Sequence, residues 1–247
     1  MFDETRYVQS GISVIFPQVL DVAKYNTEIE SILVGKYNPA IVVQIPGGFE
    51  PALPSLIFQS DHGYSQILVS QVNVILSVTY SLDWQTNAEL GKQYLLDRTP
   101  LLFEIVNRIL RRSASITGIT TFAEIPSTVS PDETIDYIAK KTLNKIDTSD
   151  VYELSLRLSR VVDNKYFSNT SCDFYRKWST PNIGPSVIRM STKSASSYGI
   201  RILSELNDRF AFNEVSGYNS SDDAACRLID LAFEETQMAI NQVIKDQ

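Results

Sequence analysis

The chain contains 247 residues with ordinary hydrophobic (43%) and charged (21%) fractions, and it is long enough to bury a substantial core. Asp and Glu number 29 against 22 Lys and Arg, which gives a formal charge of −7. A broad nucleic-acid-binding surface needs clustered Lys and Arg to neutralise phosphates, so this balance disfavours nucleic acid as a partner.

The N-terminal segment, MFDETRYVQSG, is acidic and lacks the apolar stretch of a secretory signal. No run of apolar residues approaches the length of a membrane-spanning helix. The two cysteines, Cys172 and Cys226, have no CxxC spacing, and we expect reduced thiols in preference to a disulfide. The sequence therefore predicts a cytoplasmic protein without a membrane partner.

The first half of the chain, about residues 1–113, opens with four short predicted segments. Alternating apolar residues predict a strand, and apolar residues at helical spacing then predict a helix. A second short strand and a loop rich in Pro and Gly follow. In chain order these segments cover residues 7–19, 21–36, 40–45 and 46–54.

The stretch 56–84 is the longest strand-like part of the sequence. Residues 56–59 favour a strand, and the polar Ser60-Asp61-His62-Gly63 after them predicts a hairpin turn. Because successive strand side chains point to opposite faces, the following alternation predicts a sheet with one dry face, covered by helices, and one wet face. Ile75 is the exception on the wet face, and the dry parity comprises Val72, Val74, Leu76, Val78, Tyr80 and Leu82.

A helix over residues 87–112 follows, with a kink or a restarted helix predicted at Thr99-Pro100. The second half, 114–247, then repeats the order of the first. Its predicted elements are a strand over 114–125, a helix begun by the capping box Ser130-Pro131-Asp132-Glu133, strands over 151–162 and 166–178 joined by the turn Asp163-Asn164-Lys165, a hairpin of 187–192 with 198–207 about Ser194-Ala195-Ser196, and a long helix capped by Ser221.

Both halves, 1–113 and 114–247, therefore follow the succession of strand, helix, antiparallel meander and long helix. This succession predicts an α+β protein in which antiparallel sheet is backed by long helices. It also predicts an internal duplication, whose two meanders join into one compact unit.

No constellation of catalytic, cofactor-binding or metal-binding residues stands out. His62 is the one histidine, and the consecutive Ser60-Asp61-His62 point in different directions near a tight turn, unlike a supported triad. Pro46-Gly47-Gly48 lacks the Lys and Ser/Thr of a phosphate loop. Asp222-Asp223 fits a helix start, and Glu234-Glu235 fits a solvated helix face. We expect no catalytic residue, no cofactor and no metal ligand.

The polar and aromatic strand at 166–178 is a candidate interface. Exposed Tyr, Trp and Arg side chains are the types that anchor protein–protein contacts, although they are also ordinary sheet residues. The candidate interface side chains are Tyr166, Phe167, Phe174, Tyr175, Arg176 and Trp178.

The run Phe58-Gln59-Ser60-Asp61-His62-Gly63, followed by Val72-Asn73-Val74, Tyr80 and Trp84, resembles a segment of a sporadically distributed prokaryotic family of uncharacterised proteins. That family has a similar length and shows an aromatic-x-Ser-Asp-x-Gly turn, a strand pair, and then Tyr and Trp before a helix. The resemblance implies the same order of elements and supplies no catalytic residues. The family's patchy distribution implies a role in an accessory or mobile-locus system.

Three functional hypotheses are open at this point. The leading one is a non-catalytic, cytoplasmic interaction or assembly protein that binds a protein partner or self-associates. A sheet edge, the polar aromatic strand or a long helix could carry the contact. The alternatives are a metal-dependent hydrolase assembled from distant carboxylates, and a chaperone-like binder that holds apolar segments in a groove between long helices and sheet.

Overall fold

The computed structural model of the protein describes residues 1–45, 50–143, 147–178 and 195–244. Its strands are β1 Arg6–Ile15, β2 Ile41–Val42, β3 Leu56–Gln59, β4 Ser65–Val69, β5 Asn73–Thr79, β6 Ile116–Pro126, β7 Ser155–Val162, β8 Tyr166–Lys177 and β9 Ser197–Asn207. They form one antiparallel sheet in the order β2-β3-β4-β5-β1-β6-β9-β8-β7. The predicted α+β class is therefore confirmed.

The helices are α1 Asn26–Leu33, α2 Leu82–Gln85, α3 Ala88–Glu104, α4 Pro131–Thr142, α5 Arg209–Glu214 and α6 Asp222–Ile244. The two longest, α3 and α6, pack against each other and against the central strands. Their buried residues, such as Leu95, Leu102 and Leu228, join the buried side chains of the sheet in one hydrophobic core. None of the described helices combines the length and apolar character that a membrane crossing requires.

The two halves of the chain meet at the centre of the sheet. β1, the first strand of one half, pairs antiparallel with β6, the first strand of the other. Outward from this pair the order is β5, β4, β3 on one side and β9, β8, β7 on the other. Both halves thus share the predicted succession and mirror each other in strand order. That they arose by duplication stays a prediction.

The predicted stretch 56–84 contains three strands. The turn at Ser60 is confirmed, because Gly63 has a φ of 69° and its N–H donates to Ser60 O at 2.8 Å. Beyond the turn, β4 is a strand additional to those predicted. Ser70 Oγ then accepts the N–H of Asn73 at 3.0 Å and closes the turn into β5.

The alternation of β5 gives the predicted dry face. Val74, Leu76, Val78 and Tyr80 are all buried, and Ile75 is half-buried on the other face. The prediction is wrong for Leu82, which is 76% exposed. The strand ends at Thr79, and Leu82 begins the short helix α2, so the two-residue period no longer applies there.

The restart predicted at Thr99-Pro100 is also wrong. α3 runs through Pro100, and Thr99 Oγ1 donates to Leu95 O at 2.8 Å within it. Burial of Leu102 and its neighbours against the sheet outweighs the hydrogen bond that proline removes. The irregularity lies further along, where Ile105–Ile109 forms a π-helical turn.

Three local signals of the second half are confirmed. Ser130 and Glu133 form the capping box that starts α4. Asp163 and Asn164 have φ angles of 53° and 51°, the left-handed pair that a tight hairpin turn requires. Ser221 Oγ accepts the N–H of Ala224 at 3.2 Å and caps α6. The predicted strand 187–192, the turn at Ser194 and the glycines of the loop 46–54 lie outside the described residues.

Candidate interaction surfaces

The sheet has one face covered by helices and one face that we call the open face. Along each strand alternate side chains point away from α3 and α6, and on the central strands most of these are half-buried or exposed, whereas Ile116 and Glu124 of β6 are buried. In the described part of the chain, the contact on this face from a helix comes from α5, whose Phe210 ring packs edge-on against Phe167 with centroids 5.5 Å apart.

Strand register arranges the open face into rows that run across the strands. In one row Ile41 pairs with Ile57, Ile57 with Leu68 and Leu68 with Ile75. These four residues form a continuous apolar row over four strands. Ile41 at its end is 55% exposed. Burying such a row of apolar cross-strand neighbours in a contact is favourable, because it removes apolar area from water.

The centre of the open face has small side chains. Ile75 pairs with Ser13, and Ser13 pairs with Gly118 of β6. One row further along, Gly11 pairs with Thr120. Glycines on both central strands leave the backbone there uncovered by side chains, so a second sheet or a peptide can approach it closely.

The open face is close to neutral although the protein is acidic. β3, β4 and β5 contain no charged residue. In the second half Glu124, of which the side chain is 5% exposed, bonds Lys177 Nζ at 2.5 Å and Arg201 at 2.9 Å. Arg157 bonds Glu205 at 3.1 Å. These five side chains are therefore ion-paired within the protein, and the carboxylate of Asp173 in β8 accepts hydrogen bonds from Ser155 and Ser171.

The strand β7 forms one edge of the sheet. In the described ranges it pairs with β8 alone, and five of its eight residues in succession, Arg157–Val161, are exposed. The other edge strand, β2, has only two residues. Long exposed edges present unpaired backbone N–H and C=O groups that can pair with another chain.

A groove of about 630 Å³ lies beside β7 on the helix-covered side, between α4, α6 and the strands β7 and β8. Its walls carry Leu158, which is 60% exposed, and Met238, which is 46% exposed. Arg160 pairs with the buried Glu235 in the same groove. The prediction of a solvated Glu234-Glu235 face is therefore wrong for Glu235, because α6 turns this carboxylate towards β7.

Three of the predicted interface residues lie inside the fold. Tyr166, Phe174 and Tyr175 are all buried, which corrects the expectation that their rings are exposed. By strand register Tyr166 and Phe174 lie on the helix-covered face, where Phe174 pairs with the buried Ile200. Tyr175 lies on the open face, and the charged ends of Lys177 and Arg201 each lie 5.4 Å from its ring centroid.

The other three predicted interface residues are partly accessible. Phe167 is half-buried beside Phe210. The Arg176 guanidinium lies 4.3 Å from the ring centroid of Tyr152, and Trp178 follows the strand and is half-buried. The structure does not gather all six into one patch. An interface role stays a prediction for these three.

The remaining titratable groups form no recognisable reaction centre in the described residues. His62 sits at the exposed hairpin tip, and nowhere in the described ranges do three His, Cys, Asp or Glu groups converge as a metal site would require. Both cysteines are free, and burial with the nearby Asp173 raises the pKa of Cys172 to about 12. Such a thiol is protonated and inert at neutral pH.

One buried carboxyl group was not signalled by the sequence. Asp208, directly after β9, is fully buried and accepts the Thr117 N–H at 2.8 Å, the Tyr218 hydroxyl at 2.9 Å and the Ser220 hydroxyl at 2.5 Å. Burial raises its pKa, and these hydrogen bonds oppose the rise. All three partners belong to the fold, so Asp208 joins β6, β9 and the start of α6 structurally.

Comparison with known proteins gives no family for this chain. No family model matches the sequence, and no curated protein matches it significantly.

Proposed function

We propose that this is a non-catalytic interaction protein that self-associates through the open face of its sheet. The observation that carries the proposal is the apolar row of Ile41, Ile57, Leu68 and Ile75, which runs over four strands on a face that no long helix among the described residues covers. Two such faces can stack as the two layers of a sandwich, with inner side chains interdigitating.

The dimensions of the open face suit a stable dimer. Nine strands about 4.8 Å apart span about 38 Å, and the length of β5 is about 24 Å at 3.4 Å per residue. The product, about 900 Å² per protomer, is close to the roughly 800 Å² that each partner contributes to a standard interface. The open face alone is thus large enough.

Charge also favours a second copy on this face. Two molecules with a formal charge of −7 each repel one another, so a self-complementary contact belongs where the local charge is lowest. The strands β3, β4 and β5 are uncharged, and most charged side chains of the second half on this face form ion pairs within one protomer. Stacking through this face brings few like charges together.

Sedimentation velocity tests the proposal. We expect the wild-type protein to sediment as a dimer and Leu68→Glu to sediment as a monomer, because the new carboxylate must be desolvated in the apolar row. Val34→Glu is the matched control, since Val34 is 76% exposed just after α1, away from the open face. A wild-type monomer at about 100 µM, a hundredfold above a micromolar Kd, or a dimeric Leu68→Glu variant, contradicts the proposal.

A chaperone-like role is the second candidate, because the groove between α4, α6 and the sheet edge has exposed apolar walls at Leu158 and Met238. It predicts that the protein suppresses the aggregation of an unfolded model client and that Met238→Glu removes this effect. Equal suppression by the variant counts against the groove.

A further inference from the structure

The edge strand β7 has its outer backbone groups directed away from the sheet. Phe174 N–H donates to Leu154 O at 2.9 Å, so Leu154 and every second residue after it direct their backbone groups towards β8. The intervening residues Arg157 and Ser159 therefore direct their N–H and C=O groups outward. An incoming strand can pair with these groups without displacing any bond within the sheet.

The side chains of β7 offer different chemistry on its two faces. Leu156 and Leu158 point to the groove, which Ile138, Met238 and Val243 also line. Thr170 Oγ1, opposite Leu158 and in the same groove, is buried and makes no hydrogen bond within the described residues. Arg157 lies on the other face. A strand added beside β7 would place alternate side chains in the apolar groove and the others near this arginine.

We propose that β7 and its groove bind an extended segment of another protein in which apolar residues alternate with acidic ones. The segment pairs with β7 as a tenth strand, with its apolar side chains in the groove and its carboxylates on the face of Arg157. This contact goes beyond the self-association proposed above and does not depend on it.

Charge favours a heterologous acidic segment over a second copy at this edge. β7 has two arginines, Arg157 and Arg160, and no carboxylate. Pairing two β7 strands antiparallel brings the Arg157 side chains of both copies to one face and the Arg160 side chains to the other, and like charges on neighbouring strands are destabilising. A segment with carboxylates replaces this repulsion by attraction. Arg157 and Arg160 already bond Glu205 and Glu235, but their side chains are 59% and 45% exposed, so each guanidinium has further N–H donors for an incoming carboxylate.

The probe is a fluorescein-labelled peptide as long as β7 in which leucine alternates with glutamate, and binding is followed by fluorescence anisotropy. A peptide with lysine in place of glutamate tests charge. We expect the glutamate peptide to bind, the lysine peptide not to bind, and the affinity of the glutamate peptide to fall with added salt because exposed charge pairs are screened.

Two variants locate the binding site. Ser159→Pro removes an outward N–H that β7 itself does not use, and proline is tolerated on edge strands. Leu158→Glu places a carboxylate at the groove. We expect each to weaken peptide binding by about tenfold or more, the effect of losing one good hydrogen bond or one apolar contact. Val42→Glu, at the other edge of the sheet, is the matched control and should bind as the wild type does.

Circular dichroism and thermal midpoints establish that the variants are folded. The proposal is overturned if the glutamate peptide does not bind the wild type, or if it binds Ser159→Pro and Leu158→Glu as tightly. A shift in sedimentation coefficient caused by Ser159→Pro also overturns it, since β7 would then pair with a second copy. Loss of the dimer in Leu68→Glu with intact peptide binding leaves this inference standing and concerns only the open face.

Discussion

The two halves of the sheet mirror each other in strand order, and each has a dry face under a long helix. The side chains on these two dry faces differ in chemistry. Under α3, strands β3, β4 and β5 present mainly apolar side chains, including Phe58, Ile67 and Leu76, and one buried hydroxyl, Ser65, which lies 2.6 Å from the Tyr94 hydroxyl. Under α6, strands β6 and β9 present buried hydroxyls. Thr236 Oγ1 of α6 lies 2.6 Å from Thr121 Oγ1 and donates to Ser204 Oγ at 2.9 Å.

This difference shows that one architecture can be stabilised in two ways. The first half relies mainly on the burial of apolar area, which is not directional, with the hydroxyl of Ser65 at one end of its dry face. The second half adds a small hydrogen-bond network that requires its three hydroxyls at one place, and a buried network of this kind specifies one register. We expect the two halves to respond differently to substitutions that shorten apolar side chains and to substitutions that remove buried hydroxyl groups.

The largest expected effect is in the first half. Leu76 is fully buried, and Leu76→Ala removes apolar contacts and leaves a cavity, which should lower the free energy of unfolding by about 3 kcal/mol. Urea denaturation followed by circular dichroism measures this change. Ile75→Ala in the same strand is the control, and its position on the open face should limit the loss to about 1 kcal/mol. Equal losses at both positions would contradict the assignment of the two faces.

A smaller effect is expected from the hydroxyl network of the second half. Thr236→Val keeps the shape of the side chain but leaves Thr121 and Ser204 without this partner, which should cost about 2 kcal/mol in unfolding free energy.

Two controls accompany Thr236→Val. Thr236→Ser keeps the hydroxyl and should stay closer to the wild type. The triple variant Thr121→Val, Ser204→Ala, Thr236→Val removes every member of the network and should regain stability relative to the single variant, since no buried hydroxyl is then left unpaired. A triple variant that loses the sum of three single effects would contradict the network.

The smallest effect is a pH dependence at the end of β9. The residue after β5 is Tyr80 and the residue after β9 is Asp208, both buried. The pKa of Asp208 is raised above its usual 3.8 by burial, so the folded state holds the proton more tightly than the unfolded state. This contribution to stability is fully present below pH 3.8 and is lost as pH rises through the raised pKa.

Asp208→Asn isolates that titration. We expect the unfolding free energy of the wild type minus that of the variant to fall as pH rises, by no more than about 1.4 kcal/mol per pH unit. Tyr218 and Tyr166 face the same carboxyl group and stay neutral in this range. Urea denaturation at several pH values measures the difference. A difference that grows with pH would show that hydrogen bonding to the carboxylate outweighs its burial.

The contrast between the halves also explains what the sequence could predict. The apolar alternation of β5 predicts its dry face residue by residue, and the capping box at Ser130 predicts the start of α4. In the second half hydroxyls replace apolar residues on the dry face, so Thr121 and Ser204 look like solvent-facing residues. Their burial follows from α6, which lies far along the chain.

The candidate surfaces depend even more on strand order. The apolar row is spread over residues from Ile41 to Ile75, and the sequence alone does not place them side by side. The burial of Tyr166 and Phe174 depends on which face of β8 the helices cover, and that of Tyr175 on the neighbouring Lys177 and Arg201, which are tertiary outcomes. The groove beside β7 likewise needs α4 and α6 in place. Composition shows the residue types, and only register brings them together.

The pairing of β1 with β6 at the centre of the sheet has a consequence for how the chain folds. Gln9 pairs with Phe122, so β1 gains one of its two neighbours only after the first half is complete. Contacts between positions so distant in sequence slow folding, and an unpaired strand edge exposed meanwhile favours aggregation. We expect the first half of a nascent chain to need protection from aggregation until β6 emerges. The edge of β1 that pairs with β6, at the centre of the sheet, is therefore the last part of β1 to be protected.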